Sequence, residues 1–346
     1  MKKFDFVVYI GRFQPFHNGH LATVQYAQSI SNRVIVVCGS ANQPRTIKNP
    51  FTVSERGDMI NQAVQEAGGD VNNVFITAIG DKRSNQLWVQ SVVDAVEDIV
   101  AKFMDITKDT VRIAIIGHGK DETSFYLDMF PQWDRVEMAN IAGINATQVR
   151  EEFLTQTLEG HIGDVPPSTY RWLLNFAKTK PNDYNMLIAE HAMIASYKQS
   201  WAAAPYPPTF VTADAVVVQA GHVLLIKRRS APGAGLLALA GGFVNQNETI
   251  EAAMIRELRE ETKIKVPEPV LRGNIKAREV YDNPSRSLRG RTITHAFLIE
   301  LPPGPLPKVK GSDDAAKAMW VPLSELDETK MFEDHYAIIQ HLVGLV

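Results

Sequence analysis

The first half of the chain alternates short apolar runs with amphipathic stretches. Residues 6–10 are uninterrupted apolar positions closed by Gly11, the pattern of a strand buried on both faces of a parallel sheet. Residues 21–31 then repeat apolar positions at helical spacing, 34–38 return to a strand pattern, 53–65 to a helix, 74–79 to a strand, 89–103 to a helix, and 111–116 to an apolar strand closed by Gly117. Such alternation predicts a doubly wound α/β domain around a parallel sheet, with ligands beyond the carboxyl ends of the strands. Gly11 and Gly117 fall at such ends. Residues 148–158 and 169–179 read as closing helices, Pro-Asn-Asp at 181–183 as a break, and 184–201 as a connecting helix.

Residues 202–208, Ala-Ala-Ala-Pro-Tyr-Pro-Pro, are a stiff linker signal, and beyond them the pattern changes. Residues 211–219 and 222–228 predict a hairpin around Ala220-Gly221, 249–262 one strong helix, 292–301 and 319–321 strands, and 333–343 a final helix. This is an α+β arrangement with a mixed sheet. The predicted division is 1–180 for the first domain, 181–205 for a connecting helix and linker, and 206–346 for the second.

A length of 346 residues suits two domains that each bury a core. A net charge of -3 provides no basic footprint for nucleic acid, so phosphate binding must come from local groups. The single cysteine, Cys38, excludes an intramolecular disulfide and a Cys-rich zinc site, and its place in an apolar run makes it a core residue. The apolar run after Met1-Lys2-Lys3 is short and interrupted by Asp5, which argues against a signal peptide. No run approaches the ~20 apolar residues of a membrane span. The expectation is a cytoplasmic protein, with room for a homo-oligomer.

Candidate chemistry begins at the end of the first strand, where residues 11–20 read Gly-Arg-Phe-Gln-Pro-Phe-His-Asn-Gly-His. A helix N-terminus offers unpaired N–H groups and partial positive charge to phosphate, and Gly19 permits close backbone approach. His17 and His20, three apart, can bond phosphoryl oxygens and stabilise charge on a leaving diphosphate. An isolated His-x-x-His beside a turn is usually incidental; the complete string after a strand is not. It resembles the nucleotidyltransferase superfamily signature. Residues 144–150, Ile-Asn-Ala-Thr-Gln-Val-Arg, resemble that family's second motif, with Asn145 where the family usually has Ser. The resemblance implies a Rossmann-like nucleotidyltransferase fold, with Gly11, Arg12 and Phe13 lining the substrate site. It also implies that Thr147 bonds a phosphate and that Arg150 binds the triphosphate by charge-assisted bonds.

Gly39-Ser40-Ala41, Asn49-Pro50-Phe51-Thr52 followed by Glu55-Arg56, and Asp81 with Asn85 and Trp88 are similar to the archaeal-type nicotinamide mononucleotide adenylyltransferases, over roughly residues 4–155. That resemblance implies that Trp88 stacks the nicotinamide ring, Asp81 and Asn85 hold the mononucleotide, and Lys48 lies near the substrate phosphates. A cationic pyridinium on an indole face is a cation–π contact; a core aromatic on a helix is the alternative. Gly117, followed by His118-Gly119-Lys120-Asp121, would border the adenosine pocket.

The second half carries an unrelated device. Gly242 is followed six positions on by Glu248, and after seven more residues by Arg256-Glu257-Leu258-Arg259-Glu260-Glu261. Glu257, Glu260 and Glu261 share one helix face and repel each other unless cations intervene; hard oxygen donors suit Mg²⁺ or Mn²⁺. Arg256 can pair with Glu248 or Glu260, and Gly241-Gly242 permits a tight loop whose Gly241 carbonyl reaches the metal. Water activated on such an ion can attack a diphosphate. The run alone is usually a solvated helix; the fixed spacing to Gly242 and Glu248 distinguishes it. This resembles the Nudix box, with Lys263 where the box ends in Gly. The resemblance covers about residues 206–346 and implies a Nudix hydrolase in which Glu260 and Glu261 serve catalysis. Asp313 and Asp314 could add a carboxylate or be a plain acidic loop. Arg286, Arg289 and Arg291 could clamp a distal phosphate or be solvated.

Together the halves resemble bifunctional nicotinamide mononucleotide adenylyltransferase/Nudix hydrolases. The resemblance implies ATP and nicotinamide mononucleotide as substrates of the first domain, with NAD and pyrophosphate as products, and ADP-ribose as substrate of the second. The rivals are another phosphate acceptor for the first, such as phosphopantetheine, and another nucleoside diphosphate or a non-catalytic ADP-ribose sensor for the second.

Overall fold

The computed structural model describes residues 2–82, 84–104, 110–118, 122–138, 144–158, 163–312 and 314–344. The chain divides into two compact units, Met1–Ile188 and Ala189–Val346.

Unit 1 runs β1 (Phe4–Gly11), α1 (Asn18–Ile30), β2 (Ser31–Cys38), α2 (Val53–Glu66), β3 (Val74–Ala78), α3 (Asn85–Val100), β4 (Ile113–His118), β5 (Asp134–Met138), α4 (Ala146–Thr155) and α5 (Pro167–Thr179). The sheet order is β3-β2-β1-β4-β5 and every pairing is parallel. Side chains alternate across the sheet as a strand period of two demands. Val7 and Tyr9 join the core on one face, and Phe6, Val8 and Ile10 the core on the other. Strand order reverses between β1 and β4, the switch point where doubly wound sheets place their ligands. β5 carried no sequence signal because it is an edge strand of mostly polar residues, Asp-Arg-Val-Glu-Met.

Pro181–Asp183, expected as a break, is instead the first turn of α6 (Pro181–Gln199). Proline lacks an N–H that a first turn leaves unpaired anyway, so it starts a helix as readily as it ends one. The division between the units falls within α6.

Unit 2 continues with β6 (Thr209–Gln219), β7 (His222–Arg228), β8 (Leu237–Ala238), β9 (Ala240–Phe243), α7 (Ile250–Thr262), α8 (Glu268–Gly273), β10 (Ile275–Tyr281), β11 (Arg291–Glu300), β12 (Ala315–Pro322) and α9 (His335–Val343). The sheet order is β10-β11-β6-β7-β12, with β8 on β7 and β9 on β6. The β11–β6 pairing is parallel and the others antiparallel, so the sheet is mixed. The expected hairpin turns at Ala220 and Gly221, both in the left-handed region with φ of 47° and 72°, as a two-residue turn of matching twist requires. Met254 and Leu258 of α7 pack on one face of the sheet, and Ile338 and Ile339 of α9 on the other.

Candidate active sites

The segment from β1 to α1 is built to hold a shape. Phe13 sits in the left-handed region at φ 53°, a strained conformation for a bulky residue, and its ring folds back over Gly11. A Cβ on Gly11 would lie 2.8 Å from that ring, so the glycine and the aromatic of the motif require each other. Buried Gln14 anchors the segment through two bonds to the Phe51 backbone, donating from Nε2 to the carbonyl at 2.8 Å and accepting its N–H at Oε1 at 2.9 Å.

His17 is the N-cap of α1. Its Nδ1 accepts the His20 N–H at 3.4 Å, and the His17 N–H donates to His20 Nδ1 at 3.2 Å. The two rings stack with centroids 3.5 Å apart. This is a capping box made of two imidazoles. Because each Nδ1 accepts, a neutral ring at either position carries its proton on Nε2. A Cβ on Gly19 would approach the His17 ring to 3.1 Å, so the intervening glycine keeps the stack unpressed.

Cations gather nearby. Arg150, 8% exposed, donates to the Gln14 carbonyl at 2.6 Å and to Thr147 Oγ1 at 3.1 Å. Burial, and then Arg12, pull its guanidinium down to about 10. Burial also lowers Lys48, helped by Arg12 and Arg150 and opposed by Asp81. Arg12, Lys48 and Arg150 are therefore close enough to repel. Asp81 accepts from Ser40 Oγ at 2.9 Å. Asn145 caps α4 by accepting the Gln148 N–H at 2.9 Å, so its departure from Ser preserves the cap. Asn85 is the exposed first residue of α3. Trp88, half-buried on the same helix, meets Tyr126 and Phe130 edge-on, with centroids 6.3 and 5.8 Å away. Gly117 lies within β4 rather than ending it; a Cβ there would come within 3.1 Å of Leu127 and of the Tyr126 hydroxyl. Gly119, Lys120 and Asp121 lie outside the described residues.

In unit 2 the expected loop at Gly241-Gly242 is a strand. Both residues belong to β9, with Gly241 opposite Asp214 and Gly242 opposite Ala213 of β6. The glycines serve close approach. A Cβ on Gly242 would lie 2.5 Å from Glu257 Oε1, and one on Gly241 would overlap the Asp214 carboxylate. Glu261, 5% exposed, accepts the Gly241 N–H at 3.0 Å. The N–H and C=O of one strand residue leave on the same edge, so the Gly241 carbonyl faces the Glu261 side.

Burial raises the Glu261 carboxyl to about 8; the Gly241 bond opposes this, while Glu257 and Asp214 add to it. Burial likewise raises Glu257 against the pull of Arg256. Arg256 reaches Glu248 at 2.6 Å, Glu257 at 2.8 Å and Glu260 at 3.0 Å, and its bond to Glu248 leads the forces that hold it charged. Arg256 thus pairs with both Glu248 and Glu260, the two partners expected of it, and with Glu257 as well. Among the described residues no three His, Cys, Asp or Glu side chains converge at metal-binding spacing; Arg256 draws Glu257 and Glu260 to itself. The donor set nevertheless fits a hard divalent cation. It comprises carboxylate oxygens, one of them buried with only an N–H partner, beside glycines that make room for them.

Lys263, where the box has Gly, is the C-cap of α7 at φ 47° and donates its N–H to the Arg259 carbonyl. The box glycine therefore marks a left-handed position that this chain fills with a strained lysine. Asp214 was missed from the sequence, though a lone Asp inside an apolar strand was the available signal. It is buried, its carboxyl is raised by burial, and it accepts from the Thr294 hydroxyl. Arg286 is neither solvated nor open to a phosphate, since it is buried on Asp334 at 2.7 Å. Arg289 lies over the Phe243 ring at 5.3 Å, and Arg291 bonds the Asp282 carbonyl. Asp314 is exposed, and Asp313 lies outside the described residues.

Fold and sites together define a nucleotidyltransferase-type domain followed by a Nudix-type domain. Residues 8–152 match the cytidylyltransferase-like family and residues 208–342 the NUDIX domain family. Over 179 residues the chain is 38% identical to a nicotinamide/nicotinic acid mononucleotide adenylyltransferase of Acinetobacter baylyi, covering 51% of this chain and 88% of that protein. Over 130 residues it is 37% identical to an ADP-ribose pyrophosphatase of Methanocaldococcus jannaschii, covering 38% of this chain and 70% of that protein. A bifunctional NMN adenylyltransferase/ADP ribose pyrophosphatase from Francisella tularensis, solved with AMP and a manganese ion, matches over 99% of both chains, with 36% identity and a TM-score of 0.87. The chain belongs to the family of bifunctional NMN adenylyltransferase/ADP-ribose pyrophosphatases. Among the described residues no helix is long and apolar enough to cross a membrane.

Proposed function

We propose that unit 1 joins ATP and nicotinamide mononucleotide into NAD and pyrophosphate, and that unit 2 hydrolyses ADP-ribose to AMP and ribose 5-phosphate. The functional boundaries are 1–180 and 206–346, joined by 181–205, a division supported by the family matches at 8–152 and 208–342. The reading is carried by the full-length likeness to the bifunctional enzyme, joined to two sites of opposite charge in one chain.

In unit 1 a mononucleotide phosphate oxygen attacks the ATP α-phosphorus, forming one P–O bond as the bond to pyrophosphate breaks. The protein's part is positioning and charge stabilisation. The Nε2–H groups of His17 and His20 donate to phosphoryl oxygens. Arg12, Lys48 and Arg150 offset the charge of the triphosphate and the departing pyrophosphate, with Thr147 at the start of α4. Gly11, Phe13 and Gly117 shape the nucleotide side, while Asp81, Asn85 and Trp88 receive the mononucleotide.

In unit 2 Glu257, Glu260, Glu261 and the Gly241 carbonyl would hold Mg²⁺ or Mn²⁺, which when bound polarises the diphosphate and lowers the charge barrier to water attack. Arg256 must release Glu257 and Glu260 for this, and its bonds to Glu248 keep it in place when it does. Asp214 and Glu261 fix the β9 edge. Purified protein incubated with ATP plus nicotinamide mononucleotide, and separately with ADP-ribose, in Mg²⁺ or Mn²⁺, tests both halves by chromatography of products. Absence of NAD in the first, or of AMP in the second, removes the corresponding half of the reading.

A further inference from the structure

The Asn-Pro-Phe-Thr-x-x-Glu-Arg segment ends in two charged residues that have no role above. Glu55 is accounted for by folding. It closes the cap of α2 with Thr52 and pairs with Arg45 at 2.9 Å. Arg56 is not. It is the largest of the fully buried side chains, at 1% exposure. The charged or ionisable groups that face it are Cys38, Asp81 and Arg12. Burial pushes the Cys38 thiol up to about 11, so it is neutral near pH 7. Asp81 lies on the exposed rim, bonded by Ser40. Among the described residues no carboxylate forms an ion pair with Arg56.

Its partners are carbonyls. Nη1 donates to Arg12 O and to Gly39 O, both at 2.7 Å, and Nε to Thr52 O at 3.4 Å. Arg12 and Gly39 are the first residues past β1 and β2, and the last residues of those strands, Gly11 and Cys38, are in register. The Arg12 and Gly39 carbonyl oxygens lie just past the carboxyl ends of β1 and β2, where doubly wound sheets place their ligands, and left uncapped their partial negative charge would repel an anion there. A guanidinium that takes two of them masks that repulsion. With no carboxylate in ion-pair contact among the described residues, much of its own charge remains to attract.

We propose that Arg56 is a positioning residue for the polyphosphate ligand of unit 1, one that caps two strand-end carbonyls from beneath the site and supplies buried positive charge without touching the ligand. This rests on the adenylyl-transfer reading above. Three features agree with it. Arg12 acts on Lys48, Arg56 and Arg150 alike, while Asp81 is the carboxylate that Lys48 and Arg56 share. Repulsion among these cations is relieved by an arriving polyphosphate. One guanidinium nitrogen serves both strand ends while Nε lies 3.4 Å from the Thr52 carbonyl, a planar geometry that the compact, strongly hydrated ammonium of lysine does not reproduce.

The test uses the full chain and inorganic tripolyphosphate as probe, titrated calorimetrically at a temperature where circular dichroism shows wild type and variants equally folded. Arg56→Met keeps most of the bulk and removes the charge and all donors. Its tripolyphosphate affinity falls at least about tenfold, the Coulomb attraction that one buried charge exerts on a nearby polyanion, and its KM for ATP rises in step. ADP-ribose hydrolysis in the same preparation stays within about twofold, as expected of sites that share no residues. Arg56→Lys keeps charge without the planar geometry and loses roughly threefold or more. Unchanged affinity in folded Arg56→Met overturns the proposal. If that variant does not fold, Arg56→Lys decides alone, and wild-type affinity there overturns it. A purely structural role would lower the melting temperature and leave the affinity of folded protein intact. Failure of the adenylyl-transfer reading looks different: wild type would yield no NAD, yet tripolyphosphate would still separate wild type from Arg56→Met.

Discussion

The two units handle the same chemical bond, a phosphoanhydride, from opposite electrostatic starting points. In unit 1 Arg12, Lys48, Arg56 and Arg150 gather around the segment that follows β1, and burial with mutual repulsion pulls Lys48 and Arg150 below their ordinary ranges. In unit 2 Glu257, Glu261 and Asp214 crowd the meeting of β9 and α7, and burial pushes all three carboxyls up. Burial leads every one of these shifts, so their opposite sign follows from the kind of group each unit gathers, cations in unit 1 and carboxyls in unit 2.

The largest way to break this comparison is to remove a carboxylate from unit 2. Glu261→Gln keeps the shape and the Gly241 bond while deleting the charge. ADP-ribose hydrolysis is expected to fall on the order of 10³-fold, the several kcal/mol that Lewis-acid stabilisation contributes, with NAD synthesis near wild type and no large drop in melting temperature. Both activities are read on one preparation. Retained hydrolysis refutes the metal role, and loss of both activities refutes the independence of the sites.

Next in size is a donor in unit 1. His20→Ala is expected to cut NAD synthesis about 10²-fold, comparable to losing one oxyanion donor, and to leave hydrolysis intact. The histidine also closes the reciprocal cap of α1, so the melting temperature should fall by the equivalent of about 1 kcal/mol. Near-normal synthesis in folded protein would reduce the imidazole pair to a cap.

Both sites were legible in sequence because each depends on residue types at fixed spacing along one helix start or one helix face. What could not be read was whatever depends on close approach across the chain. Gly241-Gly242 looked like a loop because glycine pairs usually are; only the carboxylates of Asp214 and Glu257 pressed against them show why a strand needs glycine there. Arg56 was given no role of its own from the sequence, since nothing local says that two strand-end carbonyls, 44 and 17 residues away, accept its hydrogen bonds. Asp214 and Arg286 were hidden in the same way, their partners Thr294 and Asp334 being distant in sequence. The reverse error occurred at Pro181, where a local rule was applied at a residue that begins a helix.

A paired anion in the cationic unit provides the third test. Burial alone would raise Glu55, but bonds from Arg45, Lys180 and the Thr52 N–H override it and hold the carboxyl at about 2, below its ordinary 4.5. A depressed carboxylate stabilises fully above its unfolded pKa and loses that contribution as pH falls through the folded one. Glu55 should therefore contribute on the order of 2 kcal/mol near neutrality, lost between about pH 4.5 and 2. Urea unfolding of wild type and Glu55→Gln across that window should converge as the pH falls. A constant difference would show that the pair is not what stabilises α2.

The smallest effect separates a ligand platform from a core aromatic within unit 1. Trp88 touches Tyr126 and Phe130 by ring edges and is only half-buried, so part of the indole remains outside the apolar cluster. If that part receives the pyridinium of the mononucleotide, Trp88→Ala weakens mononucleotide binding by about 0.5–2 kcal/mol while ATP binding changes little. The lost edge contacts should lower stability by a further ~0.5–1.5 kcal/mol, whichever role is correct, so stability cannot discriminate. Ligand selectivity can, because a loosened core disturbs both substrates and a missing platform disturbs one. Calorimetry with each ligand, on protein shown to be folded, reads the difference directly. Equal losses for the two ligands would return Trp88 to the core.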